Sequence, residues 1–544
     1  MSRRRPPADR AAPKSVGGAP APTEPALTAD AATRTTLSSL LAGGLWTTAA
    51  RVLPQLYILP ILVAAAHYLG AEQFGRQSYI AFIEVSVVML VSGGMPMSLT
   101  RYIGETLGRG RPDAVRSLLR WAWAIELAGC IIGGAVLIGA ALFGAQPTTA
   151  WILAGVAASL GILHTVPSSL LIGTQRWRRA STVGLITGSI ATPATIAVLA
   201  AGGGITGMFA VEVAASIANL AWTSQLAQRT LGELTPSRAR DPALQAQTLR
   251  YAVFATVGVM LTFIVWRRSE FFFLQRFSTY TQIALYSLSF SVINALVQIF
   301  EAVAGVVTPA VATLYGAQAF ERIRSGYGRA LRLLVLGTLP LTAASLTVGP
   351  RTLSLLGHQF KGTGPVIVIM LATFPVVPLV RTSTGLLHGL GRVRFILLSG
   401  VFAAVTNVTL DLLVIPGHAA VGAAFANGGA QLVAAFPVLV YAAHAVGGVE
   451  LRASFIARAA VLAVGVGLAA WGGVAAAPGG AGAALGVVTA FATLLLLAPL
   501  LRVLPSEDAN WIEGLAGEKL GGLVGRACRR CAFGMPEPET TRSA

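Results

Sequence analysis

Residues 78–116 read SYIAFIEVSVVMLVSGGMPMSLTRYIGETLGRGRPDAVR. Positions 78–99 form one apolar window with a single charge, Glu84. As a helix rising about 1.5 Å per residue, the window is long enough to cross the ~30 Å hydrocarbon core of a bilayer. It turns at Gly93-Gly94-Met95-Pro96 and empties into a loop carrying Arg101, Arg109, Arg111 and Arg116. Arginine beside the end of an apolar window marks the cytosolic end of a membrane helix.

Working outward, the same pattern recurs. Apolar windows fall at 37–65, 78–99, 117–144, 150–173, 181–200, 204–226, 250–274, 281–311, 330–350, 363–388, 394–415, 419–446, 454–476 and 481–502. The seventh is the weakest, because its far end reads Trp266-Arg267-Arg268-Ser269-Glu270. The 544 residues are 54% hydrophobic and 11% charged, with mean hydropathy +0.70. A soluble domain carries about a quarter charged residues, so this chain cannot face water all round. The expected fold is an all-α integral membrane protein of about fourteen transmembrane helices.

Charge orients the spans. Arginines cluster after the even-numbered windows, at Arg176, Arg178 and Arg179; Arg229, Arg238 and Arg240; Arg322, Arg324 and Arg329; and Arg392 and Arg394. The opposite loops hold only Arg76, Arg276 and Lys361, with Arg351 at a border. This alternation requires an even number of crossings and places both termini in the cytosol. The net charge of +18 therefore reads as topology determinants facing an anionic leaflet, with no nucleic-acid partner. Lysine occurs only at Lys14, Lys361 and Lys519, an arginine bias of GC-rich bacterial genomes; a bacterial plasma membrane is the expected location.

Residues 1–36 are rich in Pro, Ala and Thr behind Arg3, Arg4 and Arg5, and read as a disordered basic cytosolic tail rather than a signal peptide. Cys528-Arg-Arg-Cys531 has metal-ligand spacing, but no second Cys or His pair lies near it, so no metal is expected. The outer loops are too short for a folded catalytic domain, and no GxxxxGK[ST] phosphate loop occurs. Transport rather than catalysis is expected, with no resident cofactor; without an ATPase the drive falls to an H⁺ or Na⁺ gradient, the membrane potential or removal of substrate.

At an offset of 213, Pro96, Thr100, Tyr102, Arg109 and Arg116 match Pro309, Thr313, Tyr315, Arg322 and Arg329. Such internal repeats are common in transporters. The repeat divides the chain into an N-bundle (37–226), a linker (227–249), a C-bundle (250–446), two further spans (454–502) and a C-terminal cytosolic tail (503–544). The two six-helix bundles would be related by a pseudo-twofold axis along the membrane normal.

Three stretches carry a resemblance. Tyr68-Leu69-Gly70-Ala71-Glu72-Gln73-Phe74-Gly75 is followed by Gly94-Met95-Pro96 and Arg101-Tyr102; Arg268-Ser269-Glu270 is followed by Tyr286-Ser287; and Gly389-Leu390-Gly391-Arg392 leads through Asn407 and Asp411 to Ile415-Pro416 and Gly422-Ala423-Ala424. In order and spacing these resemble the Wzx-type flippases of polysaccharides and lipid-linked oligosaccharides, in the multidrug/oligosaccharidyl-lipid/polysaccharide exporter superfamily. Where the family often has Asp in the seventh span, this chain has Glu270. The resemblance implies an undecaprenyl-pyrophosphate-linked glycan flipped from the inner to the outer leaflet, with membrane lipids, a polysaccharide polymerase and other assembly proteins as partners. A peptidoglycan-precursor (lipid II) flippase and a cation-coupled drug exporter of the same superfamily remain alternatives.

Ionisable groups in hydrocarbon cost roughly 2.5–3.5 kcal/mol each on insertion scales and call for a function. Arg51, Arg267, Arg268 and Arg381 are candidates to bind pyrophosphate, for which a guanidinium offers a planar, permanently charged fork. Gln55, Asn294 and Gln298 are candidate glycan contacts, and Glu270 and Glu301 candidate ion-coupling carboxylates. The plainer reading is that Arg267 and Glu270, three apart on one helix face, neutralise each other, that Glu270 is solvated near the interface, and that Arg381 is an anchor.

Overall fold

The computed structural model describes residues 29–109, 111–234, 241–266, 269–449, 451–515, 525–526 and 528–533. By compactness the chain divides into residues 1–46 and 47–544. The first contributes helical backbone from Ala29; all that follows concerns the second.

In lipid every backbone polar group must be satisfied within its own segment, which leaves these apolar windows only the helix. The order is α1 (Ala29–Ser92), α2 (Met95–Gly108), α3 (Pro112–Leu142), α4 (Thr148–Gly173), α5 (Trp177–Ala200), α6 (Gly204–Gly232), α7 (Pro242–Trp266), α8 (Glu270–Phe277), α9 (Tyr280–Gly316), α10 (Phe320–Ser354), α11 (Thr363–Thr373), α12 (Val376–Gly389), α13 (Val393–Ala445), α14 (Ala453–Ala476), α15 (Gly479–Leu501) and α16 (Ser506–Leu515). Two short strands, β1 (Leu504–Pro505) and β2 (Ala532–Phe533), pair in parallel near the C-terminus.

Among the described residues, eleven helical segments are long and apolar enough to cross a membrane. Two of them, Tyr57–Gly108 and Arg394–Ala445, have 52 residues each, about 78 Å of helix and more than two hydrocarbon thicknesses. Each is broken. Gly70 (φ 73°) divides α1, and Ala419 (φ 47°) divides α13. A break frees a backbone N–H, and both are satisfied alike: Ala71 donates to Gln359 Oε1 (3.1 Å) and Ala420 to Gln282 Oε1 (3.3 Å). With these two segments counted twice and α7 with α8 taken as the seventh span, the described helices make fourteen crossings.

The helices form two bundles. In the first, α3 packs on α4, and α4 and α5 on α6; in the second, α9 packs on α12, and α11 and α12 on α13. α14 and α15 pair closely and lie against α10. Small residues permit that approach: a Cβ at Gly473 would meet the backbone of Gly486 at 2.8 Å. Large apolar side chains such as Leu413, Phe436, Leu496 and Leu500 are exposed, as lipid-facing positions are.

The arginine-rich loops lie on one face and bind one another. Arg111 pairs with Asp241 (3.0 Å) and Arg176 with Glu233; Arg116 donates to the Leu231 carbonyl (2.7 Å), and Arg324 to that of Gly448 (3.1 Å). The sidedness expected from the charges is thus present in the packing.

Candidate functional site

α7 ends at Trp266 and α8 begins at Glu270. Residues 267 and 268 between them lie outside what the structure describes, and Glu270 stands first in α8. Glu270 is fully buried, not solvated at an interface. Asn427 donates to its Oε1 from 2.8 Å, and Asn407 approaches the same oxygen at 3.4 Å. Asn407 Nδ2 also donates to Asp411 Oδ2 (2.9 Å) and to Ser269 Oγ (3.1 Å). Asn407 and Asp411 are themselves fully buried. Both come from the limb of α13 before the Ala419 break, and Asn427 from the limb after it, so the break folds three polar side chains around the start of α8.

The electrostatics of this cluster are unbalanced. Two buried carboxylates share one amide donor, and among the described residues no ion pair involves either. Glu270 Oε2, Asp411 Oδ1 and Asn407 Oδ1 are buried without a hydrogen-bond partner among the described residues. Leaving charged oxygens so placed costs several kcal/mol each. Two protons or a bound cation would relieve it, and an all-oxygen donor set suits a hard cation such as Na⁺.

The cluster leads to a cavity. Gln431, one turn beyond Asn427, donates to Asn427 Oδ1 (2.7 Å). Gln431 and Asn427 line a cavity of about 40 Å³ with Asn294, Gln298, Thr373 and Arg381, roomy enough for water. Three residues singled out from the sequence, Asn294, Gln298 and Arg381, thus meet in one place within the second bundle. The side chains of Arg51, Gln55 and Glu301, and the whole of Arg267 and Arg268, lie outside what the structure describes. Asn427 and Gln431 were not singled out; two amides one turn apart in an Ala/Gly-rich helix were the available signal.

The two bundles meet at two levels. Toward the face opposite the arginine-rich loops, the second limb of α1 packs on α9: Ser287 Oγ donates to Ser78 Oγ (3.0 Å), and the Arg76 guanidinium lies 4.8 Å from the Tyr280 ring centroid. A Cβ at Gly75 would collide with the Tyr280 carbonyl. Toward the arginine-rich face α2 packs on α7: Ser98 Oγ donates to the Thr248 carbonyl (2.6 Å), and Gly94 N–H to Thr256 Oγ1 (3.0 Å). There a Cβ at Gly94 would collide with the Ala252 carbonyl.

This architecture recurs in solved structures. The lipid II flippase MurJ in an inward closed conformation superposes with TM-score 0.65 at 12% identity, covering 84% of this chain and 98% of that one. The fold is that of the MOP superfamily transporters. A multidrug resistance MATE family transporter of that superfamily, facing inward, matches with TM-score 0.61 at 14% identity over 74% of this chain and 94% of its own. A MOP superfamily transporter from Pyrococcus furiosus matches with TM-score 0.56 at 12% identity over the same shares. No family model and no curated protein matches the sequence. The superposition fits the superfamily expected from the three resembling stretches. MurJ and the MATE proteins stand for the two alternatives weighed above; the Wzx-type branch rests on the sequence resemblance.

Proposed function

We propose that the chain flips an undecaprenyl-pyrophosphate-linked oligosaccharide from the inner to the outer leaflet of a bacterial plasma membrane by alternating access, coupled to a cation at Glu270 and Asp411. The observation that carries this reading is the double closure. One continuous stretch, from Gly75 on α1 to Gly94 before α2, touches the second bundle near each end, through Tyr280 on one side and Ala252 on the other. A rocking motion that opens either contact while the other holds would expose the interior to one side at a time, as a large polar head on a lipid requires.

Charge supports the coupling. Cation binding at Glu270 and Asp411 would neutralise the second bundle beside its polar cavity, and release would restore the repulsion, so the two states differ in the free energy that drives a conformational shift. Arg381, with Arg51, Arg267 and Arg268, would hold the pyrophosphate, and Gln55, Asn294 and Gln298 the glycan. Glu301 is a second carboxylate candidate.

A second reading, flipping of lipid II, is favoured by coverage. MurJ matches a tenth more of this chain than the MATE transporter does, the size of α14 and α15 together. Complementation separates the two. Rescue of a strain lacking its polysaccharide flippase, with no rescue of one lacking its lipid II flippase, is the expected result; the converse overturns the glycan assignment. Loss of either rescue in Arg51→Ala and Arg267→Ala tests the pyrophosphate role.

A further inference from the structure

α15 ends at Leu501, and Arg502 adopts a left-handed conformation (φ 46°) that turns the chain sharply. Leu504 then accepts a return strand: its N–H donates to the Cys531 carbonyl (2.8 Å), and β1 and β2 pair. The Cys528–Cys531 turn is closed by Cys531 N–H to the Cys528 carbonyl (3.1 Å). This fold-back carries Arg529 and Arg530 to the end of α15, where they and Arg502 line a cavity of about 790 Å³. Its other wall is apolar, made by Leu496, Pro499 and Leu500. Leu496 and Leu500 are 73% and 76% exposed, which on a membrane helix means lipid contact.

We infer that this cavity binds the phosphate headgroup of an anionic phospholipid from the leaflet on the arginine-rich face. Three exposed guanidiniums beside a lipid-facing apolar wall match such a molecule at both ends: planar forks for the phosphate oxygens, and a strip of α15 for the first acyl carbons. Ser506 and Asn510 add neutral polar groups to the lining.

The arginines are positioned by the fold. Asp508, fully buried, takes Arg332 through two bonds of 2.7 Å and Arg329 through one of 3.1 Å, which anchors α16 on α10. Arg458 donates to the carbonyls of Leu501 (3.2 Å) and Arg502 (2.8 Å) and lies 4.2 Å from the Phe533 ring centroid. The cavity floor is thus fastened to α10 and α14 on both sides. The inference takes only the leaflet from the proposed orientation, and lipid retention is read without transport, so either can fail alone.

Native mass spectrometry of the purified full-length protein tests it, with phosphatidylglycerol, phosphatidylcholine of the same chains, or inorganic phosphate. Phosphatidylglycerol should be retained in preference to phosphatidylcholine. The Arg502→Ala/Arg529→Ala/Arg530→Ala variant should lose about a hundredfold in its retention, at about fivefold per arginine. Unchanged retention overturns the site. Displacement of the lipid by inorganic phosphate at equal concentration also overturns it, in favour of a free-phosphate site. If the triple variant melts at a lower temperature, Arg530→Gln alone decides: about a fivefold loss supports the site and no loss overturns it.

Discussion

The second bundle holds Glu270 and Asp411 sealed from solvent, tied by Asn407 and Asn427 and left with three unpartnered oxygens. The first bundle also has a carboxylate pair, Glu84 on α1 and Glu212 on α6, close enough to feel each other's charge. There Glu84 is buried, and no amide joins the two carboxylates among the described residues. Only the second bundle's pair is held in a shared network of amide donors. Under the proposed mechanism, the amide-tied pair is the one expected to carry the cation.

The sharpest way to break this contrast is to neutralise each pair in turn. Glu270→Gln and Asp411→Asn should each lower transport into vesicles about a hundredfold, the cost of losing roughly 3 kcal/mol of charge-assisted binding. Glu84→Gln should stay within about twofold. Equal losses in the two bundles would erase the distinction. Wild-type transport indifferent to both ΔpH and Na⁺, with the potential held at zero, would remove coupling altogether.

The two contact levels offer a second comparison. Gly75 and Gly94 each lie against a backbone carbonyl of the other bundle, which cannot move aside as a side-chain tip can. Valine at either should slow transport at least about thirtyfold, since overpacking costs about 2 kcal/mol, but with opposite arrest. Gly75→Val should leave the face opposite the arginine-rich loops open, and Gly94→Val the arginine-rich face. Cysteine labelling from each side of oriented vesicles reads this; the same accessibility in both variants would refute independent gates.

Much of this was legible in sequence because the bilayer writes in simple terms. Span lengths, the even count and the arginine-rich face follow from hydrocarbon thickness and charge placement, and Glu270 stood out because carboxylates in hydrocarbon are rare. Its setting did not. Asn407 entered through resemblance alone, and Asp411 also as one of several carboxylates within the spans. Asn427 and Gln431 are uncharged and pass for packing in an Ala/Gly-rich stretch. The anchoring of Asp508 by Arg329 and Arg332 joins residues 176 to 179 positions apart, beyond the reach of any local pattern.

The arginine-rich face supplies the smallest contrasts. Asp508 is buried between two guanidiniums that keep 15–19% of their exposure, so Asp508→Asn should cost about 2 kcal/mol, below the full cost of breaking a sealed pair. Asp241 makes the exposed counterpart. It accepts the Leu244 N–H (3.1 Å) at the start of α7 and pairs with Arg111 (3.0 Å). First that backbone bond and then the Arg111 guanidinium hold its carboxyl below the usual range. A carboxyl depressed on folding stabilises fully above its unfolded pKa of about 3.9, and the contribution is lost as pH falls through the folded value. Asp241→Ala should therefore cost about 1 kcal/mol near neutrality, chiefly as a lost helix cap, because the solvent-screened ion pair adds little. Melting curves of wild type and variant should converge as pH falls through the depressed folded pKa of Asp241. A gap that persists there would mean that packing, not the charged cap, holds α7 to the loop before α3.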